Sequence, residues 1–153
     1  MRMVCGEGRI IVSDTIAITY EVPADDFTRA GEASSNVKSM LKKMGVNPET
    51  VRKVSIAMYE GEINMVIHAS GGKIDVTIST EEIELILRDH GPGIENIDLA
   101  MQAGYSTAPD NIRSLGFGAG MGLPNMKKYS DEFKIESTLG VGTTVTMKIM
   151  MKE

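Results

Sequence analysis

The sequence predicts an α+β fold, a two-layer sandwich in which helices cover one face of a mostly antiparallel mixed sheet. Several short segments alternate apolar and polar residues, as half-buried strands do, and three longer segments repeat apolar residues at helical spacing. Their order supports the same fold, because a strand segment is followed by two helices and then by strand hairpins. A length of 153 residues suits one domain, so residues 1–153 are expected to form a single unit.

The first predicted elements are one strand and two helices. Residues 9–22 alternate β-branched and polar side chains and predict a strand. A helix follows, for which Asp25 or Asp26 supplies the cap and Gly45 the end. The second helix is predicted to begin after Asn47, because this capping residue is followed directly by proline.

The rest of the chain is predicted to contain four strands, a long loop and a third long helix. The second helix is predicted to end near His68, and a third long helix is predicted to begin near Gly122. Between residues 90 and 121 the pattern has no period, apart from a short helix around residue 97, and such long loops are usually functional. The predicted strands occupy residues 74–78, 83–87, 133–137 and 143–149.

Composition excludes several classes of function. A formal net charge of -5 disfavours binding to nucleic acid. Cys5 is the single cysteine, so an internal disulfide and a cysteine zinc site are excluded, and a reducing compartment is favoured. No apolar run approaches the roughly 18 residues of a membrane-spanning helix. We therefore expect a cytoplasmic protein that binds neither nucleic acid nor membrane.

Glu60 and Asn64 form the first motif, four residues apart on the second predicted helix, so that both side chains share one face. A carboxylate can accept a proton from an attacking hydroxyl, and an amide oxygen suits Mg²⁺, which prefers hard oxygen ligands. Gly61 costs about 1 kcal/mol relative to alanine inside a helix, which indicates a close approach. The motif predicts a catalytic metal site, with a solvated helix face as the alternative.

Asp89, Gly91 and Gly93 form the second motif, directly after an apolar strand. A carboxylate can accept a hydrogen bond from an exocyclic amine such as that of adenine, and glycines let the backbone lie against a flat ring. The motif predicts the base-binding end of a pocket, with a plain turn as the alternative.

A glycine-rich run before the third predicted helix forms the third motif. Successive amide donors at a helix N-terminus bind phosphate, so a phosphate-binding loop is predicted, with a flexible linker as the alternative. The preceding stretch, with Ser106, Thr107 and Arg113, is predicted to be a lid. The run supplies the predicted nucleotide-binding residues Gly116, Gly118, Gly120, Met121, Gly122 and Leu123.

The fourth motif, Gly142 and Thr143, lies at a hairpin before the last strand, where the threonine hydroxyl could reach a bound base. A purely structural hairpin is the alternative.

In their order and spacing these motifs resemble the nucleotide-binding boxes of the ATPase superfamily that includes gyrase, Hsp90, histidine kinases and mismatch-repair proteins. Within it the chain is most similar to bacterial serine/threonine kinases of the anti-sigma-factor type, especially the stress-signalling switch kinase. Residues 89–94, 104–107, 118–124 and 131–133 carry that similarity. The resemblance covers nearly the whole chain and implies a Bergerat-type ATP-binding fold.

The resemblance also implies a role for each motif. Glu60 would be the general base and Asn64 the magnesium ligand. Asp89 would bind adenine, with Thr143 as its water-assisted partner, and the glycine-rich run would bind the phosphates of ATP and hinge the lid. Glu62 lies on a different helical face from Glu60, so it is not expected to replace the base.

The implied function is an ATP- and Mg-dependent protein kinase that transfers the γ-phosphate to a serine or threonine. Its acceptor would be a STAS-domain antagonist or scaffold protein of a bacterial partner-switching pathway. The alternative is an ATP-gated anti-sigma factor that sequesters a sigma factor. The sequence leaves open the identity of either partner, the upstream signal and the oligomeric state, including a homodimer.

Overall fold

The computed structural model of the chain describes residues 2–5, 9–12, 15–24, 26–69, 71–102 and 122–152. These residues form seven strands and four helices. In chain order they are β1 (Arg2–Cys5), β2 (Arg9–Val12), β3 (Thr15–Val22), α1 (Glu32–Lys43), α2 (Pro48–His68), β4 (Gly72–Ile78), β5 (Glu82–Asp89), α3 (Ile97–Ala100), α4 (Gly122–Lys128), β6 (Glu132–Thr138) and β7 (Gly142–Met150).

The seven strands form one sheet in the order β1-β2-β3-β4-β5-β7-β6, in which every described pairing is antiparallel. The predicted α+β sandwich is confirmed, but the sheet, predicted to be mixed, is antiparallel in all its described pairings. The prediction of one strand over residues 9–22 is wrong, because Val12 pairs with Thr15 and the chain therefore reverses within that segment. Residues that favour strands occur in both strands of this hairpin, which hides the reversal in the sequence.

The core lies between the helices and one face of the sheet. In β4 and β5 every second residue is buried and belongs to the apolar cluster that includes residues of α1 and α2. The opposite face is polar: Thr19 donates to Asp75 at 2.7 Å, Arg88 forms an ion pair with Asp75, and Lys148 lies 3.8 Å from Glu82. A single helical layer therefore suffices for this sheet.

Helix α1 begins later than the sequence predicts. Asp25 lies outside the described residues, and the Asp26 carboxylate accepts hydrogen bonds from the backbone and hydroxyl of Thr28, which forms a turn. The helix starts at Glu32, after Gly31, which has a positive φ of 93°. Gly31, not Asp26, occupies the cap position of α1, so the prediction of its start is wrong, whereas its end before Gly45 is confirmed.

The cap of α1 comes from α2. Glu62 is 3% exposed, and its carboxylate accepts hydrogen bonds from the amides of Gly31 and Ala33 at 3.1 Å and of Ser34 at 3.0 Å. A negative charge at a helix N-terminus also interacts favourably with the helix dipole. Glu62 thus points away from Glu60, as predicted, and fastens the two helices together.

Helix α2 has the predicted bounds. The Asn47 side chain accepts a hydrogen bond from the amide of Glu49 at 2.9 Å, and proline occupies the first turn. Near its middle the helix lies very close to the sheet, because a Cβ added to Gly61 would be 2.3 Å from Leu87 Cδ2 and 3.2 Å from Met126 Sδ. The close approach predicted from Gly61 is confirmed.

Helix α4 is shorter than predicted. It ends at Lys128, and the amide of Asp131 already donates to the Lys148 carbonyl at 2.8 Å, so the chain joins the sheet within a few residues. Its inward face consists of Met126, which is buried, and of Leu123 and Tyr129, which pack against the core.

Replacement of Gly61 by alanine tests the close packing of α2 on β5. Overpacking costs about 1–3 kcal/mol, whereas alanine gains about 1 kcal/mol in helix propensity, so we expect Gly61→Ala to lower the free energy of unfolding by about 1 kcal/mol in urea denaturation. In a Leu87→Val background, which removes the nearest methyl group, the same substitution should be less destabilising. An equal effect in both backgrounds would contradict this packing.

Candidate active site

Helix α2 presents Glu60 and Asn64 on one half-buried face. Asn125 of α4 donates from Nδ2 to Glu60 Oε1 at 3.4 Å. The sequence analysis did not identify Asn125, because its relation to Glu60 arises only when α4 packs across α2. The sequence offered one signal for Asn125, namely that it is a polar residue directly before the apolar Met126.

Asn64 lies against the start of α4. A Cβ added to Gly122 would be 2.9 Å from both Nδ2 and Oδ1 of Asn64. Glycine at this position therefore leaves the space that the Asn64 amide occupies. The fold brings the predicted metal ligand next to the last glycine of the predicted phosphate-binding run.

Asp89 ends β5 and holds two backbone segments together. Its Oδ1 accepts hydrogen bonds from the amides of Gly91 at 2.9 Å and Thr143 at 3.1 Å. Within the described part of the chain, no group donates to Oδ2. Asp89 therefore has one oxygen engaged by the protein and a second one available to a ligand.

The segment after Asp89 packs against its neighbours through its glycines. A Cβ on Gly91 would be 2.8 Å from Ala69 Cβ, and a Cβ on Gly93 would be 2.6 Å from the Thr138 carbonyl oxygen. Gly93 also has a φ of 83°, a conformation that strains other residues. These contacts attach the segment to the end of α2 and to the β6–β7 hairpin, so close protein packing already accounts for both glycines.

Ser137 completes the arrangement around Thr143. Its Oγ lies 2.8 Å from Thr143 Oγ1 and accepts a hydrogen bond from the Ile94 amide at 2.7 Å. Thr143 is 9% exposed. The sequence analysis missed Ser137, although the register of β6 and β7 places it directly opposite Thr143. A prediction of that register would have found it.

Of the predicted lid and phosphate-binding run, Gly122 and Leu123 belong to the described residues. Leu123 is described and packs against the core. The rest of the predicted lid and phosphate-binding run lie outside the described residues: Ser106, Thr107, Arg113, Gly116, Gly118, Gly120 and Met121.

The two histidines differ in environment. His90 is exposed, whereas burial lowers the pKa of the His68 imidazole, which is therefore neutral at pH 7.

In the described ranges, no three histidine, cysteine or carboxylate side chains are grouped as a metal site. A metal bound mainly by ligand phosphates and one amide oxygen needs no such group.

Known proteins resemble this chain in sequence. A family model described as histidine kinase-like ATPase domain matches residues 23–149. The anti-sigma F factor of Priestia megaterium is 32% identical over 123 residues, which cover 76% of this chain and 80% of that protein. The anti-sigma F factor of Clostridium acetobutylicum is 35% identical over 121 residues, covering 76% and 81% of the two chains.

A solved structure shares the fold. The crystal structure of the RsbU and RsbW domains of Rv1364c from Mycobacterium tuberculosis matches with a TM-score of 0.55 and 15% identity. The match covers 90% of this chain and 33% of that one, so this chain spans about a third of the solved protein. Among the described residues, no helix is long and apolar enough to cross a membrane. Because the family model matches most of the chain and the relatives match over most of their length, this protein belongs to the histidine kinase-like ATPase domain family and is a homologue of the anti-sigma F factors.

Proposed function

We propose that this chain is an ATP-dependent serine/threonine protein kinase that phosphorylates a STAS-domain antagonist or scaffold protein in a partner-switching pathway. The observation that carries the proposal is the order of polar groups along one side of α2. From the N-terminal side of α2 onwards, Glu60 with Asn125 is followed by Asn64 with Gly122. Beyond the end of α2, Ala69 contacts Gly91, which follows Asp89 closely in sequence. An elongated nucleotide could lie along this side, with its reacting end at Glu60.

The base end of the site is assigned to Asp89. Because Oδ1 already accepts two backbone amides, Oδ2 has a fixed direction and can accept the exocyclic amine of adenine. Thr143 would assist through a bridging water, since its hydroxyl is held by Ser137.

The phosphate end is assigned to the residues around Asn64. The Asn64 amide oxygen would hold Mg²⁺, and the ion would supply positive charge beside the phosphates. The residues fit this role, since the amide oxygen of Asn64, an uncharged metal ligand, lies beside Gly122 at the end of the glycine-rich run. Gly116, Gly118, Gly120 and Gly122 would bind the phosphates through their amides, with Met121 and Leu123 positioning the run. Ser106, Thr107 and Arg113 would belong to a lid that closes over the nucleotide.

Glu60 is assigned the proton transfer. Its carboxylate would accept the proton of the acceptor hydroxyl as that oxygen forms a bond to the γ-phosphorus and the bond to the bridging oxygen of ADP breaks. The Asn125 amide, 3.4 Å from Oε1, would keep the carboxylate oriented.

Replacement of Glu60 by glutamine separates binding from transfer. Glutamine retains the shape of the side chain but accepts no proton, so we expect Glu60→Gln to slow phosphoryl transfer by about 10²- to 10⁴-fold while ATP still binds. Transfer of labelled γ-phosphate to a purified STAS-domain protein and calorimetry with ATP measure the two effects. Glu49→Gln, the same change on the exposed start of α2, is the matched control. A fully active Glu60→Gln protein would falsify the assignment.

Replacement of Asp89 by asparagine tests the base end. Asparagine can keep Oδ1 on both backbone amides, which places its NH₂ group against the amine of adenine. We expect ATP to bind about 10- to 100-fold more weakly, because two donors then face each other. Inosine triphosphate, which carries a carbonyl at this position, should lose less affinity.

Calorimetry with both nucleotides distinguishes base recognition from general damage to the fold. Asp75→Asn, on the polar face of the sheet, is the control and should affect neither nucleotide. Equal losses for ATP and inosine triphosphate in Asp89→Asn would count against the assignment.

Sequestration of a sigma factor is the second candidate function, and the name anti-sigma F factor borne by the relatives favours it. In this case the chain should retain a sigma factor on an affinity column in an ATP-dependent way, while no label appears on a STAS-domain protein. Asp89→Asn should then release the sigma factor, whereas Glu60→Gln should not. Labelling of the STAS-domain protein without retention of a sigma factor would reject this candidate.

A further inference from the structure

A groove lies between α1 and the N-terminal part of α2. Its volume is about 440 Å³, within the range of roughly 300–1,000 Å³ typical of ligand sites. Ile56, the lining residue nearest to Glu60 in sequence, precedes it by one helical turn, about 6 Å along the helix. The groove therefore adjoins the candidate active site, but neither Glu60 nor Asn64 lines it.

The floor of the groove is apolar. Val46, Pro48, Val51 and Ile56 line it, and Val46 and Ile56 remain partly exposed. Ser55 also contributes, but its hydroxyl already donates to the Val51 carbonyl at 2.6 Å. The surface thus offers aliphatic contacts rather than polar ones.

The rim of the groove is cationic. Lys38, Lys42 and Arg52 are exposed at its edges, and within the described residues none of them forms an ion pair. Arg52 lies 5.5 Å from the centre of the Tyr129 ring. Lys42, in the last turn of α1, complements the helix dipole, but Lys38 lies one turn earlier, where the two like charges repel each other.

This concentration of positive charge contrasts with the rest of the chain. Residues 36–56 contain five basic and one acidic side chain, a formal charge of +4, in a protein of net charge -5. The one acidic side chain, Glu49, is 2.7 Å from Lys152, and this ion pair lowers the pKa of the Glu49 carboxyl. Among the residues that the structure describes, no carboxylate lines the groove itself.

We infer that the groove between α1 and α2 binds an acidic amphipathic helix of a partner protein. Apolar side chains of that helix would contact Val46, Pro48 and Ile56, while its carboxylates would pair with Lys38, Lys42 and Arg52. The inference shares one assumption with the proposed function, namely that this chain binds a partner protein. A nucleic acid fits less well, because the floor is aliphatic and the remaining surface carries negative charge.

A designed peptide provides the probe. We would use a fluorescein-labelled 18-residue helix with leucine on one stripe and glutamate elsewhere, and a second peptide with lysine in place of glutamate. Fluorescence anisotropy with the full chain, without nucleotide, should detect binding of the glutamate peptide that weakens with added salt. Lys38→Gln/Arg52→Gln should weaken it about tenfold.

The matched control is Lys73→Gln/Lys134→Gln, which removes two exposed charges from the sheet strands and should leave binding unchanged. Charge reversal supplies an independent arm, since Lys38→Glu/Arg52→Glu should bind the lysine peptide in preference to the glutamate peptide. Loss of folding cannot produce such an exchange of preference. Glu60→Gln should bind both peptides as the parent chain does, so failure of phosphoryl transfer and failure of docking are separable.

Four outcomes would overturn the inference. The glutamate peptide does not bind the parent chain, or the groove variant and the control variant lose the same affinity. Polyglutamate or a single-stranded oligonucleotide binds this site as tightly as the leucine-containing peptide, which would make it a general polyanion site. Sedimentation reveals a dimer that Lys38→Gln/Arg52→Gln dissociates, which would make a second copy of the chain the occupant.

Discussion

The close approach of α2 to β5 is the constraint on which the arrangement of the molecule depends. Gly61 leaves no room for a side chain between the helix and Leu87, so α2 lies as near to the sheet as its backbone permits. Glu60 and Asn64 flank that contact and therefore have fixed heights above the sheet. A larger residue at position 61 would shift both of them relative to Asp89, which belongs to the sheet.

The candidate site combines residues from elements that are distant in sequence but tied by short contacts. Asp89 joins β5 to β7 through the amide of Thr143, and the Asn64 amide occupies the space beside Gly122. In each of these contacts at least one partner is a backbone group, so the geometry of the contact depends little on side-chain conformation. Such a framework suits a reaction in which positioning contributes most of the rate enhancement.

Sequence reasoning succeeded where the determining signal is local. Asn47 and the proline after it specify the start of α2, and the alternation in β4 and β5 specifies their buried face. It failed where a distant residue decides the outcome. The start of α1 depends on Glu62, about thirty positions away, and Ser137 and Asn125 join the site only through tertiary contacts. The proximity of Asn64 to Gly122 and of Asp89 to Thr143 could be predicted from the motifs, whereas the roles of Ser137 and Asn125 could not.

The Glu62 cap gives the first turn of α1 unusual properties. The leading amides of a helix have no acceptor within the helix, and the first turn opens readily by fraying. Here three of them donate to a buried carboxylate on another helix, and the amide of Glu32 donates to the Arg29 carbonyl at 3.1 Å. The three amides that donate to Glu62 lose this acceptor when α1 separates from α2, so their hydrogen exchange reports that separation. The beginning of α1 therefore behaves in local unfolding like the middle of a helix, and its opening is coupled to that of the helix that carries Glu60.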